Sequence, residues 1–276
     1  MKTLIIIAGP TAVGKTAHAV RLAQELGTEI ISCDSRQFYR EMRIGVARPT
    51  DDELAAVPHH FIACRSVTES YNIYDYEHDA METVERLFDT HDTVVAVGGS
   101  GLYIDALRNK PAVLPSPTDD LRHQLRQMPI EEKRAQLRLL DPEYYSKVDL
   151  RNPVRLQRAL EVCLTAGRPY SAILAEQQVE ERPFNVEVRV LQMEPALLRE
   201  RIDRRVDQMI ADGLLNEVRS LLPFRHLNTL NTVGYRELFP VIENHSTLED
   251  AVAQIKLNTW HYARKQLTWC RRYQYL

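Results

Sequence analysis

A chain of 276 residues can bury a full core, as one large domain or as one domain carrying an insertion. Its 44% hydrophobic and 26% charged residues exclude a disordered or fibrous chain, and its longest apolar run, Leu4 to Ala8, is too short to cross a bilayer. The net charge of −3 argues by itself against a nucleic-acid partner, but Ala251 to Leu276 holds five Lys or Arg and no Asp or Glu, which leaves −8 elsewhere and sets the C-terminus apart as a basic surface. The apolar run lies too near the start to follow a charged leader, so a cytoplasmic protein without membrane contact is expected. Cys33, Cys64, Cys163 and Cys270 form no C-x-x-C pair, which disfavours structural zinc and a disulfide framework.

Thr3 to Ala8 is apolar and β-branched and leads through Gly-Pro into an amphipathic stretch ending at Leu26. That is the pattern of strand, loop and helix, with Gly27 as the stop. Glu29 to Ser32 predicts a second short strand ending at Cys33-Asp34-Ser35, and Thr93 to Val97 a third that runs into Gly98-Gly99-Ser100-Gly101. Continuous apolar strands alternating with helices indicate an α/β fold whose parallel sheet is covered on both faces. From about Ser116 to Arg182 no strand pattern appears. There Asn152 and Pro153 suit a helix N-cap and first turn, and Gly167 a helix end. This stretch reads as a helical insertion, dividing the chain into core (1–115), insertion (116–182) and core again (183–276). Asn185 to Leu191 predicts a fourth strand, followed by a long helix from Pro195.

Gly9-Pro10-Thr11-Ala12-Val13-Gly14-Lys15-Thr16 matches G-x-x-x-x-G-K-[ST] in the required context, between a strand and a helix. Its glycines let backbone N–H groups curl around phosphate oxygens, and the helix N-terminus adds positive potential. Lys15 supplies a mobile charge and Thr16 a hydroxyl for Mg²⁺. The motif indicates a phosphate or diphosphate and leaves open which molecule carries it. Asp34 follows the second strand, at the sheet edge beside this loop; a helix N-cap or a solvated loop carboxylate fits that position equally well. Gly98 to Gly101 fits either a plain turn or a close backbone approach to a ligand.

In the helix from Pro195, Leu198, Ile202, Val206 and Met209 form one apolar stripe. Arg201 and Arg205 project from its flank, where Arg205 can reach a buried anion, whereas Arg204 falls on the solvent side. Ordinary surface charge is the alternative for all three. Near the C-terminus, Trp260, Tyr262, Trp269, Tyr273 and Tyr275 interleave with the basic residues. Trp260, Ala263, Leu267 and Cys270 fall together as a packing stripe, and Arg264, Lys265, Arg271 and Arg272 form the adjoining flank. Aromatic beside basic side chains suits single-stranded bases, although Trp260 on the apolar stripe is assigned to the core.

Taken jointly, these motifs resemble the bacterial tRNA dimethylallyltransferases nearly end to end. The resemblance rests on the phosphate loop with Asp34-Ser-Arg-Gln-Phe-Tyr39, Ile44-Gly-Val-Ala-Arg-Pro-Thr50, Val57-Pro-His-His60 and Gly98-Gly-Ser-Gly-Leu-Tyr103. It continues through Arg158-Ala-Leu-Glu-Val162, Arg201 to Met209, Val233-Gly-Tyr-Arg-Glu237 and Thr268-Trp269. It implies a P-loop NTPase-like core that transfers a dimethylallyl group from dimethylallyl diphosphate to an adenine beside the anticodon. Gly9 to Thr16 and Arg205 would hold the diphosphate, with Mg²⁺ on Thr16. Asp34 would be the general base, and Ser100 would contact the base or its surroundings. Asp34, Ser35, Arg36, Gln37, Arg122, Val154, Arg155, Leu156, Gln157, Arg158, Asn231, Thr232, Val233, Gly234, Tyr235 and Arg236 would face the tRNA. The insertion would grip the anticodon stem-loop, the target base would be flipped into a channel, and a monomer is expected. The chain departs from the family pattern at Ser100 (usually Thr), Val46 and Arg48 (Thr and Lys), and Trp260 (Arg).

Two other classes use the same features. A P-loop kinase would hold ATP in the cradle and use Arg201 and Arg205 as lid arginines, but it gives the basic aromatic C-terminus no work. A nucleotide-gated RNA-binding protein would not need Asp34.

Overall fold

The computed structural model describes residues 1–177 and 181–275, with Gln274 and Tyr275 described by their backbone alone. Among these residues six strands form one sheet: β1 (Thr3–Ala8), β2 (Ile30–Ser32), β3 (His59–His60), β4 (Thr93–Val97), β5 (Asn185–Val190) and β6 (Gln274–Tyr275). Their order is β3-β2-β4-β1-β5-β6, and every pair is parallel. The apolar strands follow from burial on both faces. In β1, Leu4, Ile6 and Ala8 enter one core cluster while Ile5 and Ile7 enter another. The helix Lys15–Leu26 covers the second cluster with Ala19, Val20 and Ala23; the helix Ile73–Phe88 covers the first with Tyr76, Ala80 and Val84.

Gly27 ends the first helix in the left-handed conformation at φ 61°, as its position predicts. The edge strands β3 and β6 have no counterpart in the sequence reading. Each is two residues long and exists through its pairing, Ile30 with His59 and Arg189 with Gln274.

The parallel register aligns the C-terminal strand ends. Ile7 and Ser32 both pair with Val97, and Ala8 pairs with Val190. The loops starting at Gly9, Cys33, Gly98 and Leu191 therefore leave the sheet at one level, the edge where ligands of open α/β sheets collect.

The chain divides into two compact units, Met1–Asn109 with Glu181–Leu276, and Lys110–Glu180. Residues 116 and 182 were the expected borders; 178–180 and Leu276, which the expected ranges include, lie outside the described residues, as does the Tyr275 side chain. The second unit is helical: Asp119–Gln127, Ile130–Leu140, Pro142–Lys147, Pro153–Ala166 and Tyr170–Glu176. Asn152 caps its longest helix by accepting from Arg155 N–H, Pro153 opens it, and Gly167 ends it at φ 65°. Leu125, Leu137, Leu156, Ala159 and Leu160 form its core.

Candidate active site

The phosphate loop begins where β1 ends. Gly9 takes φ 141°, and a Cβ there would lie 2.9 Å from the Leu191 carbonyl, so the tight turn against β5 requires glycine. Thr11, Ala12, Gly14, Lys15 and Thr16 line a cleft of about 390 Å³, while Val13 is buried and Pro10 gives its carbonyl to Lys15 Nζ at 2.8 Å. Desolvation lowers the Lys15 ammonium to about 8; Asp34 opposes the fall and Arg205 adds to it.

Arg205 reaches the same cleft from the helix Pro195–Ala211, where Leu198, Ile202 and Val206 are buried and Met209 partly so. Its Nη1 donates to Thr11 Oγ1 at 3.3 Å, and burial followed by neighbouring Arg201 lowers its pKa. Arg204 turns away and pairs with Glu200 at 3.3 Å, its side chain 67% exposed. Arg48 Nε and His59 Nε2, also on residues lining this cleft, are buried and find no hydrogen-bond partner among the described residues. Two destabilised cations and an orphaned guanidinium nitrogen define a site that gains energy from an anion.

A second pocket of about 370 Å³ adjoins the first. Thr11, Asp34, Val46, Ala47 and Arg205 line both. Asp34 lies in a turn rather than capping a helix, and its Oδ1 accepts Arg36 N–H at 3.0 Å. Burial raises its pKa, with the Arg36 amide and Lys15 opposing that rise. Ser100 accepts from Ser35 N–H at 3.3 Å and shares a hydroxyl–hydroxyl bond of 3.3 Å with it. Tyr262, on the helix Leu248–Cys270, reaches Ser100 and lines the second pocket.

Ser35, Arg36, Asn231, Thr232, Val233, Gly234 and Arg236 also line this pocket. Arg36 is held by the Thr229 carbonyl at 2.9 Å and Arg236 by Glu237 at 2.7 Å. Gln37 instead lines the first cleft and donates to the carbonyls of Val46 at 3.3 Å and Ala47 at 3.0 Å. Tyr235 requires correction: its ring is fully buried and its hydroxyl donates to Glu217 at 2.6 Å, so its side chain offers nothing to an RNA.

In the second unit Arg122 pairs with Asp119 at 3.1 Å, and Val154 and Arg155 are exposed. Gln157 and Arg158 bond the buried Glu161 at 2.9 and 3.3 Å. Leu156 is a second correction, fully buried among Leu137, Ala159 and Leu160.

Two residues outside the sequence reading hold the site. Glu217 accepts backbone N–H bonds from Arg43, Ile44 and Gly45 at 3.0, 2.7 and 3.1 Å, fixing the loop that carries Val46 and Ala47. Gln266 is buried between the phosphate loop and the Gly98–Gly101 turn. Its spacing from Ala263 and Cys270, three and four residues, was the available signal: a polar side chain on an apolar stripe. On the basic flank Arg272 is committed to Asp105 at 2.8 Å and stacks on Trp269 at 4.6 Å.

The family model described as IPP transferase matches residues 37–273. The tRNA dimethylallyltransferase 1 of Bacteroides thetaiotaomicron is 45% identical over 276 residues, spanning 99% of this chain and 89% of that one. The chain belongs to the tRNA dimethylallyltransferase family. The enzyme of Christiangramia forsetii is likewise 45% identical, over 98% of this chain and 90% of its own. The full-length tRNA isopentenylpyrophosphate transferase of Bacillus halodurans superposes with a TM-score of 0.73 at 32% identity, over 100% of this chain and 90% of that one. A eukaryotic dimethylallyltransferase described as acting on tRNA gives 0.84 at 27% identity, over 98% of this chain and 70% of its own. The family model starts after the phosphate loop and Asp34; the full-length relatives cover them.

Proposed function

We propose that this member of the family transfers the dimethylallyl group of dimethylallyl diphosphate to the exocyclic amine of the adenine on the 3′ side of a tRNA anticodon, releasing diphosphate. The observation that carries the reading is the junction of the two pockets, where a carboxylate, Asp34, lines both a cationic cleft and a second pocket of about 370 Å³.

In this reading the diphosphate lies on the loop from Thr11 to Thr16, against Lys15 and Arg205, and the flipped adenine enters beside Ser35, Ser100, Asn231 and Arg236. The amine nitrogen attacks the allylic carbon as the bond from that carbon to the diphosphate oxygen breaks. Asp34 takes the proton that the nitrogen must lose. The loop amides, Lys15 and Arg205 meet the charge that develops on the leaving oxygen, in positions set before the reaction begins. Val46 and Ala47, the apolar side chains common to both pockets, exclude water from the allylic group.

Among the described residues no three His, Cys, Asp or Glu form a group able to hold a metal. Mg²⁺ needs no such group, since it takes one or two protein oxygens and completes its shell with phosphate oxygens and water. The Thr16 hydroxyl in the cleft fits that requirement. The ion would neutralise diphosphate charge.

Among the described residues no helix is long and apolar enough to cross a membrane; the proposed enzyme works as a cytoplasmic monomer. The helical unit, with exposed Val154 and Arg155, is proposed to hold the anticodon stem-loop.

The test supplies bulk tRNA with dimethylallyl diphosphate labelled in the prenyl group and, separately, with ATP labelled in the γ-phosphate. Prenyl label should enter the tRNA and ATP label should not. Phosphate transfer without prenyl transfer would favour the kinase reading.

A further inference from the structure

Gln266 is 6% exposed and carries one amide across two separate ligand loops. Its Oε1 accepts the Thr11 N–H of the phosphate loop at 2.8 Å, and its Nε2 donates to the Gly99 carbonyl at 2.8 Å. A Cβ on Gly99 would lie 2.2 Å from that Nε2 and 3.6 Å from the Gly9 carbonyl, so phosphate loop, glycine turn and C-terminal helix meet at a single point. Thr11 also receives Arg205 through its hydroxyl, and Ser100, the residue after Gly99, bonds Ser35 beside Asp34. Each end of the amide therefore leads, one contact on, to a different half of the site.

We propose that Gln266 is a positioning residue that sets the spacing between the diphosphate cradle and the Asp34–Ser100 side, without itself touching substrate. The inference rests on the reaction proposed above. A terminal amide is suited to the task because it offers an acceptor and a donor at fixed separation. Met has neither. An ionised Glu has acceptors alone, so one of its oxygens would face the Gly99 carbonyl, whereas a protonated Glu restores one donor and one acceptor.

The experiment measures single-turnover prenyl transfer at saturating substrates for wild type, Gln266→Met and Gln266→Glu from pH 5.5 to 8.5. Mispositioning of about 1 Å costs about 10²-fold in rate, so the Met variant should lose on that order, while its affinity for the anticodon stem-loop stays unchanged. The rate of Gln266→Glu divided by that of wild type should rise as pH falls and the carboxyl protonates; the division reduces the contribution of Lys15 and Asp34, which titrate in both proteins. A Met variant at the wild-type rate, or a ratio flat with pH, would overturn the proposal, and the pH series within one folded variant decides the matter if Met prevents folding. Should the wild type transfer no prenyl group, the reaction reading fails. Gln266 is then still tested by calorimetric titration with inorganic diphosphate, whose binding the Met variant should weaken and a mere space-filler would not alter.

Discussion

Asp34→Asn separates the two roles open to the carboxylate at the pocket junction. The substitution preserves size and an oxygen able to accept Arg36 N–H, now at 3.0 Å, so the turn from Asp34 to Gln37 should survive. What disappears is charge and basicity. A positioned base contributes about 10²–10⁴-fold, equivalent to about 3–5 kcal/mol of barrier, and kcat should fall by that factor. The Ala variant should be similarly slow, with the added loss of the turn's acceptor. Binding should move the other way. Asp34 is a negative charge beside Lys15 on the cleft that receives the anion, so its removal should leave diphosphate affinity unchanged or slightly tighter. A metal ligand would behave oppositely, losing diphosphate and Mg²⁺ affinity together. The pH profile adds a third readout. Burial raises the Asp34 pKa in the free protein, and the base works only when ionised, so wild-type kcat/KM should decline with falling pH already above the usual carboxylate range. That limb should vanish in Asp34→Asn. Single-turnover assays with labelled dimethylallyl diphosphate, paired with calorimetric titration of inorganic diphosphate, measure all three. Near-normal turnover of the Asn variant, or recovery of its rate at high Mg²⁺, would refute the base assignment.

Arg205→Ala should lower kcat by about 10²–10³-fold, the usual loss for one donor of a preorganised anion site, whereas Arg204→Ala, which removes only the exposed pair with Glu200, should match wild type in the same assay. Lys15 is half titrated at about pH 8 in the free protein, and a bound anion favours its charged form. The affinity of wild type for inorganic diphosphate, divided by that of Lys15→Arg, should therefore fall with rising pH above about 8, by at most about tenfold per unit. Tyr235→Phe removes the hydroxyl that bonds Glu217 while sparing three backbone donors, and should cost about 1–2 kcal/mol in urea unfolding. Alanine at Arg264, Lys265 and Arg271 together should lower the slope of log tRNA affinity against log salt by about 0.7–0.9 for each true phosphate contact; an unchanged slope would leave this flank without a role in RNA binding. Arg272 is excluded because it already serves Asp105.

Residues became legible in the sequence where local geometry alone dictates them. The phosphate loop is visible because Gly9, Gly14, Lys15 and Thr16 must be those types, at that spacing, for the backbone to close on an anion. Arg205 is told from Arg204 because each helical residue turns by about 100°, and Leu198, Ile202 and Val206 fix the phase. Burial withdraws two side chains from the expected RNA face. Leu156 belongs to a segment expected to face the RNA, yet its spacing from Leu160 marks it as core. Tyr235 likewise sits in an expected RNA-facing segment while its own ring is buried. The partners of Glu217 and Gln266 are hidden for a different reason, even though the place of Gln266 on an apolar stripe marks it as buried. Their backbone partners lie 172 to 174 and 167 to 255 residues away, and no periodicity records a contact across such a distance. Both are polar residues that bond backbone atoms of site loops, so any side chain of equivalent hydrogen bonding would serve and no motif names their partners. Residues that touch the ligand are thus constrained by its chemistry and appear as motifs. Residues that hold the loops are constrained by the fold and appear in the coordinates as buried amides and carboxylates with backbone partners on more than one segment. The search for positioning residues in this family should begin from that second signature.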